Sequence, residues 1–337
     1  MTRIGVPRGL LFYQYFPMWR TFFEALGAEV VVSSPTTRGL AASGAGRVVA
    51  ETCMPVKVFC GHVLALQGQC DYVFIPAIRS MTPRVFNCSK FLGLPDIVRA
   101  ACPDAPPILE VDIDVNQGRR EVYQAIYRLA RPFTWNPLRV KEATVRALEA
   151  HRTYVEQMSQ RHETPPQALA PILPATQGRE APPATAPGPG DGPSNGRERL
   201  NLALLGHPYV LYDDFITHRL LPRLRGMGVN VLTPEMVPEA ALEAAITKLD
   251  GRSYWTYEGE VVGAGGYYVD SGADGLVGVL SFGCGPDSLM MDVVKRYAHD
   301  KGCPFLGLTV DEHTGEAGLL TRLEAFVDMI VRRKRAG

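Results

Sequence analysis

Three cysteines of the sequence combine a reactive side chain with a position that suits chemistry. Cys53 in "ETCMPVKVF", Cys88 in "NCSKFLGLPD" and Cys284 in "SFGCGPDS" each precede a helix-compatible segment that carries a proline. The apolar run before Cys284 predicts a buried strand, which places this cysteine on a strand-to-helix turn. Such turns lie at the carboxyl edge of a parallel sheet, where ligands bind, and a helix N-terminus favours the thiolate. The three cysteines are therefore candidate metal ligands at strand ends.

Two kinds of metal centre fit three thiolates from separate loops. Zinc would need a fourth ligand, which His207, His313 or His62 could supply to complete a tetrahedron. A [4Fe-4S] cubane would take three thiolates and leave one iron to water, substrate or a ligand other than cysteine. The sequence holds no C-x₂-C pair, so it has neither a ribbon-type zinc motif nor a ferredoxin-type run. Spacing alone leaves both metals open.

The remaining cysteines lack this pattern and are predicted to be packing residues: Cys60, Cys70, Cys102 and Cys303. The total of seven is odd, and the N-terminal stretch "MTRIGVPRGLLFYQYF" lacks an apolar export signal. We therefore expect a cytoplasmic protein whose cysteines serve thiol or metal chemistry rather than disulfides.

The charge balance and the apolar content of the sequence argue against nucleic acid and membranes as partners. Lysine plus arginine equals aspartate plus glutamate at 35 each, so the sequence predicts no basic surface for nucleic acid or anionic membrane. No apolar run approaches the ~20 residues of a membrane-spanning helix. The partners are expected to be a small molecule and other proteins.

The chain of 337 residues is long enough for two domains, and its composition changes once along the way. Residues 161–199 include "APPATAPGPGDGPSNG" and show no helical or strand period, which predicts a linker rich in proline, glycine and alanine. The predicted domains are 1–160, an α/β domain with a helical extension, and 200–337, a second α/β domain.

The two halves open on the same pattern. In each, an apolar strand ends at a proline, aromatic residues and an amphipathic helix follow, and a glycine precedes a β-branched strand. The proline-to-glycine spacing is 20 residues in both copies, from Pro7 to Gly27 and from Pro208 to Gly228. This repeated βαβ start predicts two similar parallel-sheet domains that face each other across a cleft, where the three cysteines would converge.

Periodicity predicts the other elements of both domains. Strands are expected over "YVFIPAI", before Cys284 and over "PFLGLTV". Helices are expected at 94–101, 119–129, 140–157, 239–249 and 258–271, directly after Cys284, and from about 317 to 333.

Six blocks together resemble an uncharacterised family related to the activases and iron–sulfur subunits of (R)-2-hydroxyacyl-CoA dehydratases and benzoyl-CoA reductases. They are "IGVPRGLLFYQYFPMWRTFFEALGAEVVVS", "ETCMPVKVFCGHV", "CSKFLGLPD", "LLGHPYVLYDDF", "SFGCGPDS" and "DEHTGEAGLLTRLEAF". The resemblance covers both halves and omits the linker. It implies two flavodoxin-like, or Rossmann-like, domains and an oxygen-sensitive [4Fe-4S] cluster, typical of anaerobic metabolism, at positions that correspond here to Cys53, Cys88 and Cys284.

The resemblance also implies a partner. In related systems a separate ATP-hydrolysing activase of the actin and hexokinase type drives a low-potential electron into the cluster. The electron then serves dehydrating or reductive chemistry on a small substrate such as an acyl-CoA, in some systems with a second iron–sulfur subunit. The sequence has no G-x₄-GK-[ST] loop and is expected to bind no nucleotide. Three interpretations stay open: a dehydratase-like lyase or ATP-coupled reductase component, an electron-transfer subunit, and a zinc-stabilised or metal-free binding module without redox activity.

Cations near the predicted cluster would ease electron uptake. Lys57 follows Cys53 by four residues, Lys90 follows Cys88 by two, and Arg79 follows the predicted strand "YVFIPAI". A cluster on three thiolates is anionic and becomes more so on reduction, so nearby positive charge raises its potential. The alternative is that these three are solvated surface charges.

A polar group follows the last predicted strand. Asp311, Glu312 and His313 lie in "VDEHTGEAG", where they are candidate catalytic residues for orienting ligands or moving protons. Capping of the last helix would explain Asp311 equally well.

Overall fold

The computed structural model of the chain describes residues 1–173, 199–249 and 252–336. These residues form two compact units. The first contains the described residues between Met1 and Pro174 together with Ser253–Thr256, and the second contains the other described residues up to Gly337. None of the helices in the described ranges has both the length and the apolar character needed to cross a membrane.

The N-terminal unit is built on a parallel sheet with the strand order β2-β1-β3-β4. Its elements are β1 (Arg3–Val6), α1 (Phe12–Ala25), β2 (Glu29–Val32), α2 (Arg38–Ala45), α3 (Met54–Ala65), β3 (Tyr72–Ser80), α4 (Ser89–Leu92), α5 (Leu94–Ala101), β4 (Ile108–Asp114), α6 (Arg119–Ala130), α7 (Pro137–Arg161) and α8 (Pro165–Leu169). The central strand β3 is apolar and buried along most of its length, as expected for a strand covered by helices on both faces.

The C-terminal unit repeats this topology with the order β6-β5-β7-β8, again all parallel. Its elements are β5 (Asn201–Leu205), α9 (Pro208–Leu211), α10 (Leu220–Gly226), β6 (Asn230–Leu232), α11 (Glu239–Leu249), α12 (Glu258–Asp270), β7 (Gly275–Ser281), α13 (Gly285–Asp300), β8 (Phe305–Val310) and α14 (Glu316–Ala336). Both sheets place their first and third strands side by side, which is the switch point of a flavodoxin-like order. The predicted α/β class with two flavodoxin-like units is confirmed.

The repeated proline-to-glycine spacing has a structural cause. Gly27 follows α1 and Gly228 follows α10, and their φ angles are +90° and +79°. A residue with a side chain is strained in this left-handed region, so glycine is the natural residue where a helix ends and the chain turns into the next strand. The same turn thus closes the first βα unit in both copies.

Part of the predicted linker is ordered. Residues 165–169 form α8, which packs on α1 and α7 and buries Leu169 completely. Thr164 begins this helix, and its backbone N–H donates to Oε1 of Gln167 at 3.0 Å. Residues 174–198 of the predicted linker lie outside the described residues.

A short segment from the second half of the chain belongs to the N-terminal unit. Trp255 forms an isolated parallel bridge with Phe86, two residues before Cys88. The Phe86 N–H donates to the Tyr254 carbonyl at 2.9 Å, and the Thr256 N–H donates to the Phe86 carbonyl at 3.1 Å. The loop that leads to Cys88 is therefore fixed by residues distant in sequence.

Candidate metal centre

The three predicted cysteine ligands share one local structure. Cys53 is the N-cap of α3, Cys88 of α4 and Cys284 of α13, and each has an extended backbone and a half-buried side chain. An N-cap residue faces the unpaired N–H groups and the positive end of the helix dipole, which favours the thiolate. All seven cysteines lie within the described residues, and none forms a disulfide.

The predicted strand-end position is correct for two of the three. Cys284 follows β7 directly and Cys88 follows β3 after a loop that ends at Asn87. Cys53, by contrast, follows α2 and a turn rather than a strand, because the helix at Arg38–Ala45 intervenes between β2 and α3. It still caps a helix, so the local chemistry of its thiol is unchanged.

The other cysteines have different surroundings. Cys60, Cys70 and Cys102 are buried, and Cys303 is half-buried with Sγ 3.6 Å from the Ala273 carbonyl oxygen. The hydrogen bond between the Cys60 and Cys102 thiols, with burial, raises the pKa of Cys60, and burial raises that of Cys303 to about 11. Thiols that resist ionisation are poor metal ligands, which supports the packing role predicted for these two.

The three predicted cations are not equivalent. Lys57 is 2% exposed and its Nζ donates to the Ala50 carbonyl at 2.7 Å, so it is not a solvated surface charge. Lys90 is half-buried. Arg79 Nε donates to both carboxylate oxygens of Asp112, at 3.0 Å to Oδ1 and 3.1 Å to Oδ2. This interaction with Asp112 raises the pKa of Arg79. Arg79 is therefore paired with a carboxylate, and Lys57 lies inside the unit one helical turn after Cys53.

A cluster of three possible metal ligands lies at the switch point of the C-terminal unit. His207 follows β5 and caps α9, while Cys284 caps α13 and Asp287 lies in the first turn of that helix. Because β5 and β7 are neighbours, their carboxyl ends bring these residues together. One ligand atom from each lies within 4.8 Å of the other two. The exposed fraction is 3% for His207 and 0% for Asp287.

The polar atoms of this cluster are incompletely paired. His207 Nδ1 lies 2.8 Å from the Tyr209 hydroxyl and 2.9 Å from Asp287 Oδ1. Asp287 Oδ2 accepts a hydrogen bond from the Ser281 N–H at 3.3 Å. Oδ1 has no hydrogen-bond partner among the described residues, because its contact with Nδ1 lacks the geometry of a hydrogen bond. A buried carboxylate oxygen in this condition is costly unless a cation or proton satisfies it.

Aromatic rings enclose the histidine. The Tyr209 ring stacks on the imidazole at 4.9 Å between centroids, and the Tyr257 ring meets it edge-on at 4.6 Å. Both tyrosines are buried. These rings restrict the orientation of His207 and exclude water from one side of the cluster, which strengthens electrostatic interactions within it.

A glycine allows the two strand ends to approach each other. A Cβ atom at Gly206 would lie 2.5 Å from the Val279 carbonyl oxygen and 3.1 Å from Cδ2 of Leu211. A side chain at this position would push β5 away from β7. Gly206 therefore determines how closely His207, the next residue, lies to the loop of Cys284.

The three histidines that were candidates for a fourth ligand have different surroundings. His62 is fully buried in the N-terminal unit, where Nδ1 bonds Ser33 Oγ at 2.9 Å and Nε2 bonds Thr36 Oγ1 at 3.0 Å. Both ring nitrogens are thus occupied, and burial, with the nearby Arg8, lowers the pKa of His62 to about 3. His313 is exposed. Of the three, His207 is the one found beside a predicted cysteine ligand.

The polar group after β8 forms a hydrogen-bonded turn between β8 and α14. Asp311 Oδ1 accepts from the Thr314 hydroxyl at 2.8 Å and from the His313 N–H at 2.9 Å. Burial alone would raise the pKa of Asp311, but these hydrogen bonds outweigh it and the pKa is lowered. These bonds lie within a local turn five residues before α14 begins, so Asp311 does not cap that helix. The catalytic role of Asp311, Glu312 and His313 stays a prediction.

Asp287 is not among the ligands that the sequence predicts. The available signal was its spacing: in C-x-x-D at the first turn of a helix, residues three apart lie on the same face. Only the neighbouring strand, with His207 at its end, makes the pair into a cluster.

Residues 3–237 match a family described as the CoA enzyme activase uncharacterised domain, which is more than half of the chain. The matched range contains Cys53, Cys88 and His207, and it ends before β7, so Cys284 and Asp287 lie outside it. A comparison with curated proteins finds no relative of the chain.

Proposed function

We propose, from the premise that this chain belongs to the CoA enzyme activase uncharacterised domain family, that it is an iron–sulfur protein that accepts low-potential electrons from a separate ATP-dependent activase. Its [4Fe-4S] cluster is bound by Cys53, Cys88 and Cys284. The observation that carries the proposal is that these three cysteines, alone among the seven, are half-buried N-caps of helices.

The donor set fits the chemistry of such a cluster. Thiolates are its usual protein ligands, and three of them leave one iron for water, substrate or another ligand. Each of the three sulfurs is at the end of a helix where negative charge is stabilised, which favours the anionic form that binds iron. That the three thiolates meet at one centre stays a prediction.

Residues of the chain would tune this centre rather than carry electrons themselves. Lys57 is buried one helical turn after Cys53, and Lys90 is half-buried two residues after Cys88. Positive charge near the cluster stabilises its reduced form and so raises the potential. When bound, the cluster supplies one-electron reduction.

The substrate is proposed to be a small molecule such as an acyl-CoA thioester, handled by this chain as a dehydratase-like or reductase component or by a second iron–sulfur subunit. Asp311, Glu312 and His313 are the proposed groups for moving protons. We expect a protein with an oxygen-sensitive cluster of this kind to act in the cytoplasm of an anaerobic cell.

Metal and sulfide analysis of anaerobically purified protein tests the proposal. We expect iron and acid-labile sulfide in equal amounts, with an EPR signal that appears on reduction by dithionite. Cys53→Ser, Cys88→Ser and Cys284→Ser should each lower the iron content, whereas Cys303→Ser, a half-buried cysteine outside the pattern, should not. Iron content unchanged in all three variants would contradict the assignment.

A second candidate is a zinc-binding module without redox activity, and the mixed donor set around His207 favours it. Zinc accepts imidazole, thiolate and carboxylate together, whereas the cluster prefers thiolates. Protein that contains zinc and no labile sulfide would support this alternative. ATP hydrolysis by the purified chain would instead identify it as an activase.

A further inference from the structure

We propose that the C-terminal unit binds a single divalent transition-metal ion, Zn²⁺ or Fe²⁺, through Cys284, His207 and Asp287, without Cys53 or Cys88. The three side chains converge at the switch point between β5 and β7, with one ligand atom each inside a 4.8 Å span. The inference goes beyond the cluster proposal and does not rest on it.

The first argument is the unpaired oxygen of a fully buried carboxylate. His207 Nδ1 has one direction in the ring plane for a hydrogen bond, and the Tyr209 hydroxyl occupies it at 2.8 Å. Asp287 Oδ1, 2.9 Å from the same nitrogen, is left without a hydrogen bond among the described residues. A metal ion satisfies this oxygen, whereas the histidine as placed does not.

The second argument is the spacing of the donors. Two ligands on one tetrahedral metal ion, with bonds of about 2.1 Å, lie about 3.4 Å apart. One donor atom from each of the three side chains lies within 4.8 Å of the other two, which is near the spacing that a single ion needs. Donors this close converge on one ion rather than on separate irons of a cluster.

The donor set also selects the metal. One thiolate, one imidazole and one carboxylate suit Zn²⁺ and Fe²⁺, whereas Mg²⁺ and Ca²⁺ prefer oxygen ligands throughout. Three protein ligands leave a coordination position open, as in catalytic rather than structural zinc sites. Cys284 is half-buried, which gives the ion and a small ligand a path to this position.

The single-ion site and the proposed cluster exclude each other, since both need the Cys284 thiolate. A variant that cannot assemble a three-thiolate cluster still contains all three ligands of the single-ion site. The Cys53→Ser/Cys88→Ser double variant of the full chain therefore tests this inference separately, while iron and sulfide content of the unsubstituted protein tests the cluster.

The experiment titrates the metal-free double variant with Co²⁺ and then displaces it with Zn²⁺. We expect one Co²⁺ per chain, with the thiolate charge-transfer absorption that reports a cobalt–sulfur bond. Adding Cys284→Ser should abolish that absorption. Adding Asp287→Asn or His207→Gln should weaken Co²⁺ binding at least about tenfold, because even partners outside the coordination shell typically cost 10–100-fold.

Cys303→Ser is the matched control, a half-buried cysteine of the same unit, and should leave binding unchanged. If Asp287→Asn or His207→Gln fails to fold, the readout is thermal unfolding of the double variant: Zn²⁺ should raise its Tm, and Cys284→Ser should remove the shift. Absence of Co²⁺ binding, or a charge-transfer band that survives Cys284→Ser, would overturn the proposal.

Discussion

Gly206 and Val279 lie so close that a Cβ atom on the glycine would meet the valine carbonyl oxygen at 2.5 Å. This contact joins the carboxyl ends of β5 and β7, from which His207 and Cys284 extend. The geometry of the candidate metal centre therefore depends on a residue that has no side chain to contribute.

Gly206→Ala should destabilise the fold and weaken metal binding together. The methyl group forces the strand ends apart, at a cost of about 1–3 kcal/mol in the free energy of unfolding. Urea unfolding measures the stability, and Co²⁺ titration measures the site. Gly226→Ala is the control, because a Cβ there meets nothing within 4 Å, and it should stabilise by a few tenths to about 1 kcal/mol. Equal stability of the two variants would refute the steric argument.

His62 should make the protein sensitive to acid. Its pKa is about 3 in the folded state, chiefly because it is buried, against about 6.5 in an unfolded chain. Above about pH 6.5 the ring is neutral in both states, and below it only the unfolded chain takes up the proton, so stability is lost as the pH falls toward 3. The loss is about 1.4 kcal/mol per pH unit.

Urea unfolding at pH 7 and pH 5 measures this effect. His62→Gln should show a smaller fall in stability between the two pH values than the unsubstituted protein. His299→Gln, which alters a side chain that is 89% exposed, should behave like the parent. A fall of the same size in His62→Gln would show that other groups carry the acid sensitivity.

Lys57→Met should lower the midpoint potential of the proposed cluster. A charge at ~6 Å with an effective dielectric near 20 is worth on the order of 100 mV before screening. Lys90→Met should cause a smaller shift, because Lys90 is less buried and is better screened by water. Anaerobic redox titration at matched iron content measures the midpoint potential of both variants. An unchanged potential in Lys57→Met would show that Lys57 does not influence the cluster.

The ordered part of the predicted linker should be sensitive to truncation. Leu169 is fully buried where α8 packs on α1 and α7, so Leu169→Ala should cost about 2–5 kcal/mol. Deletion of 176–193 should leave stability nearly unchanged, because loop length adds little closure cost. Thermal unfolding compares the two, and a Leu169→Ala variant as stable as the parent would show that α8 does not contribute to the core.

Much of the fold was predictable because the local signals agree with one another. The helices at Leu94–Ala101 and Glu239–Leu249 have the predicted bounds, and the repeat at Gly27 and Gly228 anticipated two sheets of one topology. Strand β4 was missed because "ILEVDID" carries acidic residues at its exposed edge positions, where the apolar signal of a buried strand is absent.

The site was predicted less completely, because its residues come from segments that are far apart in the sequence. Each cysteine could be identified from its own helix start, and His207 from its own strand end. Their separation in space depends on which strands become neighbours, and the role of Asp287 follows only from that pairing. Local sequence carries no direct information about such contacts.

Because of the bridge between Phe86 and Trp255, the N-terminal unit cannot be completed until residue 255 has been translated. On the ribosome, the first sheet and its helices can form as soon as their residues leave the exit tunnel. The loop before Cys88 gains its bonds to Tyr254 and Thr256 only after about three quarters of the chain has been translated. The thiol of Cys88 therefore spends much of translation on an unfinished loop, and a nascent chain truncated before residue 254 could not hold it in its final position.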